Sequence, residues 1–338
     1  MDQVLSLLTN IWFGLLGVIL ALYVLLDGFT LGVGMLSLFS PTEERRGILM
    51  ATLGSVWDAN ETWLVLLGGA LFGAFPIAYS VLLQALYIPV SLMLGGLILR
   101  GAAFEVREHA RNKHFWNLAF GLGSLVTALS QGLALGTVLQ GIPVQGTSFA
   151  GSAWIWLKPF PFIVACGVIS GYALLGATYL VLRTGAPIQP RARLAARFAA
   201  LFTLAAAATV TIWTPFIYPQ VAAKWFSVPA IYYIAPLPLT ALLAFLMLWR
   251  ALARNQEGMP FVWTVVIFMA SFAGLAVSLH PYIVPPALTL TAAAASPITL
   301  IFMLTGIGML LPVMMIYNGY QYLVFRGKVH TSGYQDSH

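Results

Sequence analysis

Charged residues are scarce in this chain of 338 residues, of which Asp, Glu, Lys and Arg together make up only 8%. An ordinary soluble domain carries about 25% charged residues. By contrast, 60% of the chain is apolar, and its mean hydropathy is +0.90. Because Cys166 is the only cysteine, an intrachain disulfide is excluded. These shortages exclude a typical soluble enzyme and predict an all-α polytopic membrane protein.

Residues that hold metals and cofactors are also few. A haem held between two membrane helices needs His or Met ligands at membrane depth. Four of the five histidines lie in a basic loop or in the polar tail, and only His280 touches an apolar run, near its end. The sequence has no Cys-x-x-Cys motif, no P-loop and no dinucleotide-binding fingerprint. We therefore expect no metal site, no cofactor site and no catalytic residue in this chain alone.

Long apolar runs dominate the sequence, and each run of roughly 20 residues is long enough to cross a bilayer. Nine are predicted: 11–38, 48–74, 77–99, 115–140, 161–182, 195–217, 234–252, 261–283 and 299–325. The loops between them are short, so we expect one membrane domain over residues 1–338, with a polar tail at 326–338. The N-terminus lacks the basic region of a cleaved signal peptide, and we expect the first span to be retained.

The basic residues indicate the orientation. With nine spans, nearly all of the 16 Lys and Arg residues fall on the side that carries the C-terminus, and only Lys158 and Lys224 fall on the other. By the positive-inside rule, we expect a cytoplasmic C-terminus and an N-terminus on the outer side. Because the bases alternate with apolar runs, the net charge of +6 indicates membrane orientation and no nucleic-acid partner.

Three carboxylates, Asp27, Asp58 and Glu61, lie inside predicted spans that contain no Lys or Arg. An ionised group at the centre of a span costs about 2.5–3.5 kcal/mol or more and is usually functional. Asp58 and Glu61 are three residues apart, so they share a helix face, and two such carboxylates cannot both ionise cheaply. With Glu105 as an entrance from the third loop, the sequence predicts a cytoplasmic proton pathway through Asp27, Asp58, Glu61 and Glu105.

Other functions fit the same residues. Intramembrane acids also couple cation movement in secondary transporters and channels. In a purely architectural subunit, Asp27, Asp58 and Glu61 would only hydrogen-bond neighbouring helices, and Glu105 would be a solvated loop acid. Composition alone leaves these alternatives open.

Several strings, in the same order along the chain, resemble subunit II of the cytochrome bd-type quinol oxidases. They are Leu26–Gly34, Trp57–Trp63, Gly68–Phe72, Phe75-Pro76, Arg100–Glu105, Gln131-Gly132, Gln140-Gly141, Tyr172–Leu180 and Pro281–Pro286. The resemblance extends from the first span to the last and is closest to the cyanide-insensitive branch of the family.

The resemblance implies a fold of two four-helix bundles plus a peripheral helix, without haem ligands of its own. It implies a heterodimer in the bacterial inner membrane with subunit I, which carries two haem b groups, haem d and the quinol site. That complex oxidises quinol and reduces O₂ to water. A small single-span accessory subunit often joins, and some members hold a structural quinone in subunit II.

The resemblance also assigns residue roles. The acid that matches Asp58 lies on a proton path toward the haems, and the position of Trp63 borders a lateral route for O₂. Two departures from the family pattern are present. Thr30 stands where the first motif usually has a second acid, and Leu290–Ala293 stands where many members have a Trp and an acid.

Overall fold

A computed structural model of the chain describes residues 2–54, 56–217, 219–228, 230–324 and 327–329. Helices account for most of it: α1 (Asp2–Ser37), α2 (Glu43–Ala51), α3 (Val56–Ala74), α4 (Pro76–Val106), α5 (Lys113–Gln140), α6 (Pro159–Arg183), α7 (Ile188–Ile217), α8 (Pro219–Trp225), α9 (Ala230–Ile234), α10 (Pro236–Ala253), α11 (Met259–Leu279), α12 (Leu290–Ala293) and α13 (Pro297–Val324). Two short antiparallel hairpins pair β1 (Val144–Gln145) with β2 (Ser148–Phe149) and β3 (Tyr282–Val284) with β4 (Leu288–Thr289).

The prediction of an all-α polytopic membrane protein is confirmed. Within the described part of the chain, eight helical segments are long and apolar enough to cross a membrane. The 19-residue α3 is not among those eight. Its first turns contain Asp58, Asn60 and Glu61, and these polar residues lower its hydropathy.

Several helices extend beyond their predicted bounds, α1 and α7 at their N-terminal ends among them, and two of the differences bear on the site. The predicted span 48–74 is interrupted, because α2 ends at Ala51 and α3 begins at Val56, with Gly54 between them at a φ of +50°. The predicted span 77–99 continues as α4 to Val106. No turn residue interrupts the segment after position 99, so the helix runs on for about two further turns at 3.6 residues per turn.

The apolar core is organised around α1, which packs against α3, α5, α6 and α13. One buried cluster joins the first half of α1 to α3, α4 and α13, a second joins its last half to α2, α5 and α6, and a third joins α6, α7, α10 and α11. The second half of α1 therefore lies deep within the protein, and Leu31 and Val33 have no exposed surface.

Helices α1 and α6 meet backbone to backbone at two glycines. A Cβ atom on Gly32 would lie 1.9 Å from the carbonyl oxygen of Tyr172, and one on Gly176 would lie 2.5 Å from the carbonyl carbon of Gly32. Small residues permit this close approach in membrane helices, where van der Waals packing replaces the hydrophobic effect as the driving force. The contact fixes the last half of α1, which carries Asp27.

Most of the bases, among them Arg107, Lys113, Arg183, Arg193 and Arg254, lie at or near the ends of α4, α5, α6, α7 and α10. We call this end of the helices the basic face. There Lys328 and Gln189 donate hydrogen bonds to Glu257 at 2.7 and 3.1 Å, and the backbone N–H of Val329 donates to the carbonyl of Arg183. These two hydrogen bonds and the nearby positive charge lower the pKa of the Glu257 carboxyl. The contacts tie the end of the described chain to the last residue of α6 and to the loop that precedes α11.

Candidate functional site

The buried acids have a cationic partner that the sequence interpretation missed. Arg100 Nη2 donates hydrogen bonds to Asp27 Oδ1 at 2.8 Å and to Glu61 Oε1 at 2.7 Å. The expectation that no base neutralises these acids was therefore wrong for Asp27 and Glu61. It failed because the predicted span ended at residue 99, which placed Arg100 in a loop, whereas α4 continues and holds its guanidinium inside the protein.

We call Asp27, Thr30, Glu61 and Arg100 the Arg100 cluster. The side chains of Arg100 and Asp27 are 2% and 1% exposed, whereas that of Glu61 is 26% exposed. Arg100 Nη1 donates to Thr30 Oγ1 at 3.3 Å, and Thr30 Oγ1 donates to Asp27 Oδ1 at 2.6 Å. Ionised side chains within membrane helices commonly pair in this way because hydrocarbon provides no solvation.

Three helices supply the Arg100 cluster, and close backbone packing places the arginine. Asp27 and Thr30 lie one turn apart on α1, Glu61 is on α3, and Arg100 is on α4. A Cβ atom on Gly123 of α5 would lie 3.0 Å from the backbone nitrogen of Arg100. Because α5 approaches α4 so closely here, the backbone of α4 at Arg100 has little freedom to shift.

Asn60 fixes the register of α3 against its neighbours. The side chain is fully buried, and its Nδ2 donates to the carbonyl of Leu26 at 2.9 Å. Its Oδ1 accepts a hydrogen bond from the hydroxyl of Tyr322 on α13 at 3.1 Å. These bonds hold Asn60 beside the residue that precedes Asp27, which places Glu61, the next residue on α3, near Arg100.

A second polar chain lies on the other side of Asp27. The Tyr172 hydroxyl donates to Gln131 Oε1 at 2.6 Å, and Gln131 Nε2 donates to the Tyr23 hydroxyl at 2.6 Å. Tyr23 lies four residues before Asp27 on α1, so the two side chains share a face. Asp27 Oδ2 is buried and has no hydrogen-bond partner among the residues that the structure describes.

The four acids of the predicted proton pathway are not all brought together. Asp27 and Glu61 meet at Arg100, whereas Asp58 is exposed on the outer side of α3 and Glu105 is exposed near the end of α4. The structure thus separates a buried ionic cluster from two acids at the protein surface.

Trp63, the residue that the resemblance places beside an O₂ route, is buried in the core. Its side chain is 1% exposed and packs in the cluster formed by the first half of α1 with α3, α4 and α13. Its indole Nε1 has no hydrogen-bond partner in the described part of the chain. An indole N–H without an acceptor indicates that this part of the core is apolar.

A second ionic group lies at the basic face, away from the Arg100 cluster. The Glu43 carboxylate accepts hydrogen bonds from Arg107 Nη2 and from Asn117 Nδ2, and Arg107 Nε donates to Asn117 Oδ1 at 2.6 Å. A cleft of about 220 Å³ opens beside it, lined in part by Arg107 and Glu108. Glu105 does not line this cleft.

The described histidines do not fit a haem held between helices. His109 and His114 are exposed near the basic face, and His280 Nε2 lies 2.8 Å from Asn10 Oδ1 at the opposite end. His330 and His338 lie outside the described residues. Over the ranges described, no group of three or more His, Cys, Asp or Glu side chains is arranged to hold a metal ion.

Known proteins resemble this chain over most of its length. It is 34% identical over 217 residues to cytochrome bd-I ubiquinol oxidase subunit 2 of Escherichia coli strain K12. The matched region covers 62% of this chain and 57% of that protein. It is 33% identical over 196 residues to cytochrome bd ubiquinol oxidase subunit 2 of Bacillus subtilis strain 168, covering 55% and 56%. The matches therefore span little more than half the length of these curated relatives.

A solved structure and a family model extend the likeness further. The chain superposes on a chain of the bd oxidase from Geobacillus thermodenitrificans with a TM-score of 0.77 at 20% identity, covering 94% of this chain and 98% of that one. At this identity, the superposition shows a shared fold. The family model of cytochrome bd terminal oxidase subunit II matches residues 8–325. This chain belongs to the cytochrome bd terminal oxidase subunit II family.

Proposed function

We propose that this chain is the non-haem subunit II of a respiratory quinol oxidase complex that reduces O₂ to water. In this proposal, the chain stabilises a haem-bearing subunit I and contributes a proton path and access for O₂. Family membership supports it, and the relatives from Escherichia coli and Bacillus subtilis are named as ubiquinol oxidase subunits. In this proposal haem b and haem d belong to subunit I, as the resemblance implies. Family membership also disfavours the transporter alternative.

The single observation that carries the proposal is an exposed carboxylate at the surface of a membrane helix. Asp58 begins a stripe of exposed residues spaced three or four positions apart along α3: Asp58, Thr62, Val65, Gly69 and Phe72. A carboxylate that faces hydrocarbon costs about 2.5–3.5 kcal/mol even on the mildest insertion scales. A protein partner that covers this stripe removes that cost, and subunit I is the partner we propose.

The proposed proton path begins at the basic face and follows α3. Glu105 is exposed near that face, Asp58 lies two residues into α3, and Glu61 follows within one turn. Asp27 lies beyond Glu61, across Arg100. Protons drawn from the cytoplasm would pass along Glu105, Asp58 and Glu61 to the interface with subunit I, where the oxygen chemistry takes place, and Asp27 would hold the buried end of the path through Arg100.

The proposed O₂ route uses the apolar surroundings of Trp63. O₂ is itself apolar, so a path lined by core side chains suits it, whereas a proton needs the carboxylates. Trp63 lies on the same helix as Asp58 and Glu61, five positions after Asp58. One helix would then border both routes.

The topology that accompanies this function has nine spans, with α3 as the ninth, in two four-helix bundles plus a peripheral helix. The N-terminus would be periplasmic and the C-terminus cytoplasmic, because most bases lie at one end of the helices. The complex would lie in the bacterial inner membrane. A small single-span accessory subunit and a structural quinone are further parts of the proposal, and the resemblance alone supports them.

The experiment that tests this function measures quinol-dependent O₂ uptake by the purified complex. A reduced-minus-oxidised spectrum first shows whether a haem protein co-purifies with the chain, and its absence would refute the assignment. In Asp58→Asn, we expect turnover to fall by about tenfold or more, as loss of a proton-transfer group typically does, at unchanged haem content. Asp58→Glu should retain most activity, and the exposed Glu44→Gln serves as the control. Normal turnover in Asp58→Asn would exclude a proton role for that residue.

A further inference from the structure

The Arg100 cluster contains more negative than positive charge. Two carboxylates, on Asp27 and Glu61, contact one guanidinium, and arginine stays protonated in proteins. Arg100 therefore balances one carboxylate only. An unbalanced second anion in a low-dielectric interior is costly, so the cluster has a place for one proton.

The contacts distinguish the two carboxyl groups. Asp27 Oδ1 accepts hydrogen bonds from Arg100 Nη2 and from Thr30 Oγ1, and both bonds favour its ionised form. Glu61 Oε1 accepts the bond from Arg100 alone among the described residues. The side chain of Asp27 is 1% exposed, whereas that of Glu61 is 26% exposed. Glu61 is thus the less stabilised anion and the more accessible one.

The other ionisable groups around the cluster do not alter this choice. Tyr23 lies one turn before Asp27 on α1, and Gln131 links it to Tyr172 on α6. Both are phenols, which ordinarily lose their protons only at about pH 10. On α3, Asp58 lies three residues before Glu61, so the two carboxyl groups share a helix face. The hydroxyl of Tyr322 on α13 donates a hydrogen bond to Asn60. Asp58 is therefore the neighbour that can exchange a proton with Glu61.

We propose that Glu61 carries the single exchangeable proton of the Arg100 cluster, while Asp27 remains ionised as the permanent counter-ion of Arg100. The inference rests on the proposed function and assigns the proton-carrying group within it. In the transfer step, the O–H bond of the Glu61 carboxyl breaks and its proton passes to an acceptor on subunit I; the O–H bond of the Asp58 carboxyl then breaks and an O–H bond forms on the Glu61 carboxylate. Asp58 then regains a proton from the basic face. Arg100 is a positioning residue that holds both carboxylates.

Thr30 makes a matched test of this assignment available. Its hydroxyl contacts both Arg100 and Asp27, and the residue is 1% exposed. An aspartate at position 30 would therefore place a carboxylate beside Arg100, but on α1 and away from Asp58. The double variant Thr30→Asp/Glu61→Gln retains two carboxylates around Arg100 and removes the one that is accessible from α3.

The experiment compares the variants Glu61→Gln, Glu61→Asp, Thr30→Asp/Glu61→Gln and Asp27→Asn in the purified complex. Haem content reports assembly, quinol-dependent O₂ uptake reports turnover, and infrared difference spectra report a protonated carboxyl group. We expect turnover in Glu61→Gln to fall by about tenfold or more, with the protonated-carboxyl band lost. Glu61→Asp should keep most turnover. The double variant should assemble with full haem content and stay as slow as Glu61→Gln.

Asp27→Asn gives the sharpest result. In that variant Glu61 becomes the counter-ion of Arg100 and ionises, so the protonated-carboxyl band should disappear although Glu61 is present. A protonated-carboxyl band that persists in Asp27→Asn or in Glu61→Gln would overturn the inference. Full turnover in the double variant would also overturn it, because only the number of charges around Arg100 would then matter. Slow turnover in Asp58→Asn together with normal turnover in Glu61→Gln would refute this inference alone. Normal turnover in Asp58→Asn would refute the proton path as a whole.

Discussion

Replacing Arg100 with methionine would remove the cation from between Asp27 and Glu61 while preserving most of the side-chain volume. Arg100 is almost fully buried and donates to both carboxylates and to Thr30. Removing one partner of a buried ion pair costs about 3–5 kcal/mol, because the remaining charge has no compensation. Glu61 can take up a proton, so the cost corresponds to one stranded carboxylate, Asp27, and not to two.

The assay is thermal unfolding of the purified complex in detergent, followed by size-exclusion chromatography of the heated sample. For a domain of 150–250 residues, 1 kcal/mol corresponds to about 2–4 °C in midpoint. We therefore expect Arg100→Met to lower the midpoint by roughly 6–20 °C. Arg100→Lys should lower the midpoint less, because the positive charge remains. It should still lower it, because an ammonium group lacks the planar fork that contacts Thr30 and both carboxylates together.

The triple variant Arg100→Met/Asp27→Asn/Glu61→Gln separates charge balance from packing. It removes all three ionised groups, so the cost of about 3–5 kcal/mol for an uncompensated buried charge no longer applies. We expect it to recover most of the midpoint lost in Arg100→Met, while turnover stays low. If Arg100→Met is as stable as the parent, or the triple variant is no more stable than Arg100→Met, this electrostatic reasoning is wrong.

Two further predictions concern helix packing. Gly176→Ala should lower the yield and thermal midpoint of the complex, because its Cβ would lie 2.5 Å from the backbone of Gly32, whereas Gly14→Ala, with open space around it, should match the parent. Asn60→Ala should cost about 1–3 kcal/mol by leaving buried polar groups unpaired and should slow turnover by displacing Glu61. Tyr322→Phe, which removes one of the two Asn60 contacts, should have a smaller effect on stability and on turnover. If the parent, Asn60→Ala and Tyr322→Phe are equally stable, the role of Asn60 is contradicted.

The sequence predicted the helical class, most of the spans and two members of the cluster, because these features follow from hydropathy and from the cost of intramembrane acids. It missed Arg100 because a base that follows an apolar run is ordinarily a loop residue under the positive-inside rule. The available signal was residues 100–106, which contain no proline or other helix breaker apart from Gly101. Asn60 lay within a recognised string, but its contacts with Leu26 and Tyr322 join residues far apart in sequence, and no local pattern reveals such pairs.

The acids of this chain differ in what compensates them, and that difference separates architecture from transport. Asp27 is buried and held by Arg100 and Thr30, so its charge is satisfied within the chain and moving a proton through it would break those bonds. Asp58 is exposed at a helix surface with no compensation that the described residues provide, so its charge requires either a proton or a partner protein. Glu61 lies between these conditions, held by one bond and partly exposed. A carboxyl group whose ionised and protonated forms are both tolerated can pass a proton on, and of these three acids Glu61 meets that requirement best.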